Sequence, residues 1–236
     1  VPGYTRRQLK EDKFADTAQG AALWATGHRQ TVILTVGIVL VAIVATAGVV
    51  AWRGRQADQA NTELSAAMRT FETPVGPAAP PGGDTGPTFA TIADRAKAAE
   101  KQFGAVADKY SSVSPGRIAR YLRGTALLQS GDKAGAEQDL KTAAAFSDKD
   151  VAGLAKMALA SIYRASNRMP EAIAIYKELA DHPTATVPKA QAQLELADIY
   201  ETTDPQQAAL IYQQLQKDDP RSPAAQVAAQ RLKPGK

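Results

Sequence analysis

The sequence predicts an all-α protein, a single transmembrane helix followed by a solenoid of helical repeats. Three observations carry this reading. Residues 31–52 hold no charge; an Ala with a large apolar residue four positions later recurs every 36 or 37 residues beyond residue 88; and a Pro/Gly-rich stretch separates the two patterns. The chain divides accordingly into a tail at 1–29, a membrane helix at 30–52, a helical stalk at 53–72, a linker at 73–87 and a repeat domain with a C-terminal capping helix at 88–236.

The tail sets Leu9, Phe14, Ala18, Ala21, Ala22 and Trp24 among charges, the pattern of an amphipathic helix lying on a membrane surface or of a frayed tail. From Thr31 to Trp52 the chain reads TVILTVGIVLVAIVATAGVVAW, bounded by Arg29 on one side and by Arg53 and Arg55 on the other. At about 1.5 Å per residue such a helix is about 33 Å long, enough for a hydrocarbon core of about 30 Å. Trp24 and Trp52 flank it as interfacial anchors, together with Arg29 and Arg53. A cleaved signal peptide fits poorly. The small-x-small triplet Ala45-Thr46-Ala47 lies inside the apolar run, and Glu11, Asp12, Lys13 and Asp16 part the Arg6-Arg7 pair from it, so a signal anchor is expected. Charge gives a divided reading of orientation. Arg6, Arg7, Lys10, Lys13 and Arg29 favour an inner N-terminus by total, whereas Arg53 and Arg55 both hug the membrane where only Arg29, with His28, does so on the other side.

Beyond Trp52, good helix formers without Pro extend the helix as a stalk to Glu72. Leu64, Met68 and Phe71, spaced by four and three, put an apolar stripe on it that packs on its own domain or meets a partner. Thr73 to Pro87, TPVGPAAPPGGDTGP, excludes a regular element and reads as a semi-rigid linker.

The repeats follow. The pairs Ala99/Phe103, Ala136/Leu140, Ala172/Tyr176 and Ala208/Tyr212 form one series; Gly124, Ala160 and Ala197 form a second, upstream of it. Gly131-Asp132, Asn167-Arg168 and Asp204-Pro205 lie between the two as turn signals, so each unit is helix, turn, helix. Pro170, Pro188, Pro205 and Pro223 mark helix starts, with Asp204 and Ser222 as N-caps and 223–232 as the capping helix. One helix pair cannot bury both its apolar faces, so the pairs must stack. Small residues then let paired helices approach while Leu140, Tyr176 and Tyr212 fill the space between pairs.

This register resembles the tetratricopeptide repeat over residues 117–232, with a divergent unit at 89–110. It departs from that family in having Arg120 where the family favours Trp and in running nearer 36 residues than 34. Ligand modes are therefore not carried over. The whole layout, with Arg6-Arg7-Gln8-Leu9-Lys10-Glu11-Asp12-Lys13-Phe14 in a short tail, one span and three to four repeats, resembles the bacterial membrane-anchored family related to the ancillary subunit of the Sec translocon. The resemblance implies an inner-membrane protein with a cytoplasmic N-terminus and periplasmic repeats.

Composition narrows the chemistry. With no Cys and only His28 and His182, disulfides, thiolate metal sites and cysteine nucleophiles are out, and imidazole catalysis has little to draw on. Phosphate-loop, dinucleotide-binding, zinc-protease and serine-hydrolase motifs do not occur, so neither an enzyme nor a cofactor, metal or small-molecule substrate is expected. Twenty-eight basic and 24 acidic residues are interspersed, which gives no stripe for nucleic acid. The remaining candidates for partner binding are Arg117, Arg120 and Arg123, a ridge that is either solvated or grips an acidic or C-terminal peptide, and the stripe of Leu64, Met68 and Phe71. Two functions stay open: an envelope adaptor or chaperone-like factor receiving translocating or assembling proteins, and a structural accessory subunit of a membrane complex docked through span and stalk.

Overall fold

The structure, a computed structural model, describes residues 27–76 and 88–232. The tail with Trp24 lies outside the described residues, as does most of the linker. Nine α-helices are found among the described residues: α1 Arg29–Glu72, α2 Ile92–Lys109, α3 Ser114–Ser130, α4 Lys133–Ala144, α5 Lys149–Ala165, α6 Met169–Asp181, α7 Lys189–Thr203, α8 Pro205–Asp218 and α9 Pro223–Arg231. The chain divides between Arg55 and Gln56 into two compact units.

In the first unit the helix is the apolar run itself. Its most apolar eighteen residues have a mean hydropathy of 2.8, which makes it long and apolar enough to cross a membrane. The Thr46 hydroxyl donates to the Ala42 carbonyl at 2.7 Å and that of Thr35 to the Thr31 carbonyl, so neither needs water.

In the second unit the helices from α2 to α9 stack in chain order, each against the next. Sequence dictates the ends of its helices. Asp132, Asp148, Asp204 and Ser222 cap α4, α5, α8 and α9 by accepting from backbone N–H groups, and Pro115, Pro170, Pro205 and Pro223 sit in first turns where a missing N–H costs nothing. Between α3 and α4 the chain reverses through Gly131 at φ 93°, and between α5 and α6 through Asn167 at φ 58°, the left-handed region that these two residue types tolerate. Gly124, Ala160 and Ala197 are buried on α3, α5 and α7, facing a core in which Leu140 and Tyr176 have no exposure and Tyr212 has 2%.

The stalk segment, whose stripe the sequence leaves to pack on its own domain or to meet a partner, packs into this core. Ala60, Leu64 and Ala67 of α1 are buried in one cluster with Ala99, Phe103, Val106, Ala107 and Tyr110. Ala67 lies five residues before the end of its helix, as Gly124, Ala160 and Ala197 lie five or six before theirs. Residues 56–72 are therefore the first helix of the first repeat, and α2 is the second. The Pro/Gly stretch is an insertion between the two helices of one repeat, with its ends tied: Gly76 N–H donates to the Phe89 carbonyl at 3.0 Å, and Phe89 N–H to the Pro74 carbonyl at 3.2 Å. The reason is physical. The apolar stripe at 64–71 needs cover, and the faces of Ala99 and Phe103 supply it.

Candidate protein-interaction surface

The three arginines of α3 do not form a free ridge. Arg120 Nη1 lies 3.2 Å from Asp139 Oδ1 on α4 and its Nη2 lies 2.6 Å from Asp108 Oδ1 on α2. Arg123 Nε lies 3.2 Å from Asp139 Oδ2, and its side chain runs over Gly104, where any Cβ would meet it at 3.4 Å. Asp139 is the one buried charged residue among the described residues, and two guanidinium groups neutralise it. Arg117 makes no ion pair among the described residues. Spacing by three, which suggested a single ridge, instead drifts around the helix until Arg120 and Arg123 face the neighbouring helices.

The stripe of α1 is likewise engaged. Leu64 is buried, the Phe71 ring meets the Phe103 ring edge-on at 5.7 Å, and Met68 alone stays open at 39% exposure. Arg95 fastens this corner: it stacks 5.6 Å over Phe71 and donates to the Thr73 carbonyl and to Gln129 Oε1. Glu63 of α1 accepts from Lys109 Nζ at 2.7 Å and from the Tyr110 hydroxyl at 2.8 Å, which hold its carboxyl below the usual carboxylate range. Of the anchor residues, Arg29, Trp52 and Arg53 are exposed on α1.

An open groove appears where sequence reading gave no signal. Between the end of α4, the first half of α5 and the end of α6 lies a space of about 470 Å³. Phe146, Ala152 and Leu179 give it an apolar floor; Lys149, Lys156, Glu178 and Asp181 stand at its rim, with Lys156 Nζ 2.5 Å from Glu178 Oε1. The segment after α6 builds the far wall. Thr186 hooks to Asp150 through its backbone N–H and its hydroxyl, the latter 2.9 Å from the Asp150 carbonyl, and Val187 is fully buried beneath. Gly153 completes the fit, since a Cβ there would come 3.1 Å from Thr184 Oγ1. An apolar floor under a rim of both charges suits a peptide side chain inserted with its main chain at the rim. The α6–α7 connection is the longest between successive repeats, but its length alone does not tell that it folds back onto Asp150.

Among the described residues no three His, Asp or Glu gather where they could hold a metal ion. Helix pairs stacked, with no strand among the described residues, around small and aromatic core positions define a helical-repeat interaction protein. The tetratricopeptide repeat-like domain family model matches residues 24–185, and a tetratricopeptide repeat model matches residues 157–223. The chain belongs to the tetratricopeptide repeat-like domain family. No curated protein and no solved structure matches it.

Proposed function

We propose that this protein is a membrane-anchored adaptor or chaperone-like factor of the bacterial cell envelope, with its N-terminus in the cytoplasm and its repeats in the periplasm, where they hold segments of translocating or assembling membrane proteins. One observation supports the anchor above all others: twelve large apolar side chains from Ile33 to Trp52 are each at least half exposed. Leaving them in water costs on the order of 20 kcal/mol at about 1.5–3 kcal/mol each, so lipid is their solvent. Membership in a repeat family whose members bind proteins supports the adaptor role, and the groove floored by Phe146 and Leu179 is the surface we assign to it. Resemblance of the tail, span and repeats to the translocon-associated family supports the orientation. The reading as a structural subunit docked through span and stalk has less in its favour, because Leu64 and Phe71 are already covered by Phe103.

Protease added outside spheroplasts tests the topology; it should remove the repeats and leave the tail protected. Protected repeats overturn the periplasmic placement. Gentle detergent extraction of the chain and of a Phe146→Ala, Lys149→Glu variant tests the groove. Translocating or translocon proteins recovered with the first and lost with the second support the adaptor; one fixed-ratio assembly recovered with both supports the structural subunit.

A further inference from the structure

The outer face of α8 differs from those of the other second helices of the repeats. Its inner face is ordinary, with Ala208, Tyr212 and Leu215 buried. Outside, Gln206, Leu210, Gln213 and Lys217 form a single exposed stripe at spacings of four, three and four. In the repeat register, Leu210 takes the position of Lys101 on α2, Gln138 on α4 and Ala174 on α6, yet it is a large apolar side chain left 57% exposed. Gln213 takes the position of Lys141 and Lys177, and Gln214 that of Glu178. The charges that keep the other faces in water have been exchanged here for amides around one leucine. From Pro205 to Gln216 the helix has no charge, and its only charges stand at the ends: Asp204 before it, Lys217 and Asp218 in its last turn.

We propose that this stripe is where two copies of the chain associate, α8 against α8 in antiparallel fashion about a two-fold axis. Depletion of charge at the centre with polar ends is the composition of an interface core. The occupant follows from self-complementarity. A two-fold contact presses a surface against itself, so it forbids a central charge and favours groups that are their own partners. An amide is such a group, with one acceptor and two donors in the same side chain. Antiparallel pairing sets Leu210 beside Gln213 of the other copy and Gln206 opposite Lys217. Each Lys217 then comes next to the other copy's Asp204, so opposite charges meet at both ends. Lys217 makes no ion pair within its own chain among the described residues, and neither does Asp204, which is engaged only in capping α8.

The sequence contains no Cys, so single cysteines report cleanly. Leu210→Cys and Gln138→Cys, each in the full chain in native membranes, are oxidised with copper phenanthroline. The expected result is a disulfide-linked pair of chains for Leu210→Cys and none for Gln138→Cys, the same register position on α4. No pair at 210, equal pairing at both positions, or an adduct at 210 only with a different protein each overturns the proposal. Light scattering of the full chain in detergent gives a second readout. A two-chain mass falling to one with Leu210→Glu, at unchanged helicity, supports the contact; a single-chain parent, or a pair that survives the substitution, refutes it. Should Leu210→Glu lose helicity, the cysteine comparison decides alone.

Discussion

Asp139 and Arg120 meet across the seam between α3 and α4, Oδ1 to Nη1 at 3.2 Å, with the carboxylate only 8% exposed and Arg123 closing on its other oxygen. A carboxylate so far from water is tolerable because Oδ1 accepts from Arg120 while Oδ2, without a hydrogen bond of its own, lies within ion-pair reach of Arg123. Replacing Asp139 by Ala leaves two half-buried guanidinium groups without their counter-charge, and the expected loss is about 2–3 kcal/mol in urea unfolding of the 56–236 unit. Changing Arg117, Arg120 and Arg123 together to Glu should unfold the α3–α4 pair, since two new carboxylates then face a third. Helicity measured by circular dichroism distinguishes this from loss of partner binding.

Gly124 and Leu140 are in closer contact than any side chain at 124 would permit. A Cβ on Gly124 would stand 2.7 Å from Leu140 Cγ and 2.9 Å from its Cδ2, and Leu140 has no exposed surface through which to withdraw. Gly124→Ala should therefore destabilise by about 1–3 kcal/mol despite its better helix propensity. Tyr176→Ala, which empties the next seam, should cost about 3–5 kcal/mol. A thermal melt of each variant checks both, and an unchanged midpoint for Gly124→Ala would show that the two helices have room to part.

These contacts show what the sequence could and could not reveal. Small residues at 124, 160 and 197 and large ones at 140, 176 and 212 are legible because close helix approach demands them at one fixed spacing. The first repeat was hidden by its insertion: thirty-two residues separate Ala67 from Ala99, whereas twelve separate Gly124 from Ala136, so a periodic search passes over it. Asp139 was silent for another reason. A lone acid on a helix looks solvated unless the neighbouring helix is known to aim arginines at it. The groove floored by Phe146 and Leu179 depends on how the 182–187 segment hooks to Asp150, a tertiary contact with no local signature.

Acid should loosen the first repeat through Glu63. Its carboxyl titrates below its ordinary 4.5 because Lys109 and Tyr110 donate to the charged form. A depressed folded value means that the contribution is complete above pH 4.5 and is lost as pH falls through the lower folded value. The ion pair itself is exposed and worth little, so most of the effect is the buried Tyr110 losing its charged acceptor. Hydrogen exchange at residues 60–71 should quicken on acidification in the parent, and Glu63→Gln should flatten that dependence. An identical acid response in the variant would assign it to other carboxylates.

The C-terminal end of the solenoid makes the most direct demand on its cap. Without α9 the last repeat would expose Leu215 and Tyr212, which share a cluster with Ala224 and Ala228. Polar contacts fasten the cap from outside: Arg231 Nη1 lies 3.0 Å from Glu201 Oε2, and the Tyr212 hydroxyl donates to Glu201 at 2.9 Å. Arg231→Ala removes only partly exposed pairs, to Glu201 and Asp198, and should cost no more than about 1 kcal/mol. Truncation after Arg221 removes the apolar cover, so protection from hydrogen exchange should fall across α7 and α8 while α3 to α5 stay protected, because a repeat array loses its ends before its middle. Alkali probes the same corner. Burial first, and then Glu201, raise the Tyr212 phenol above its ordinary 10.0. A raised folded value keeps its contribution whole below pH 10 and loses it as pH climbs beyond, so Tyr212→Phe should weaken the alkaline fraying of α7 and α8. If exchange in α3 to α5 rises together with that in α7 and α8 after truncation, the domain melts as one body and the cap stabilises the whole rather than its end.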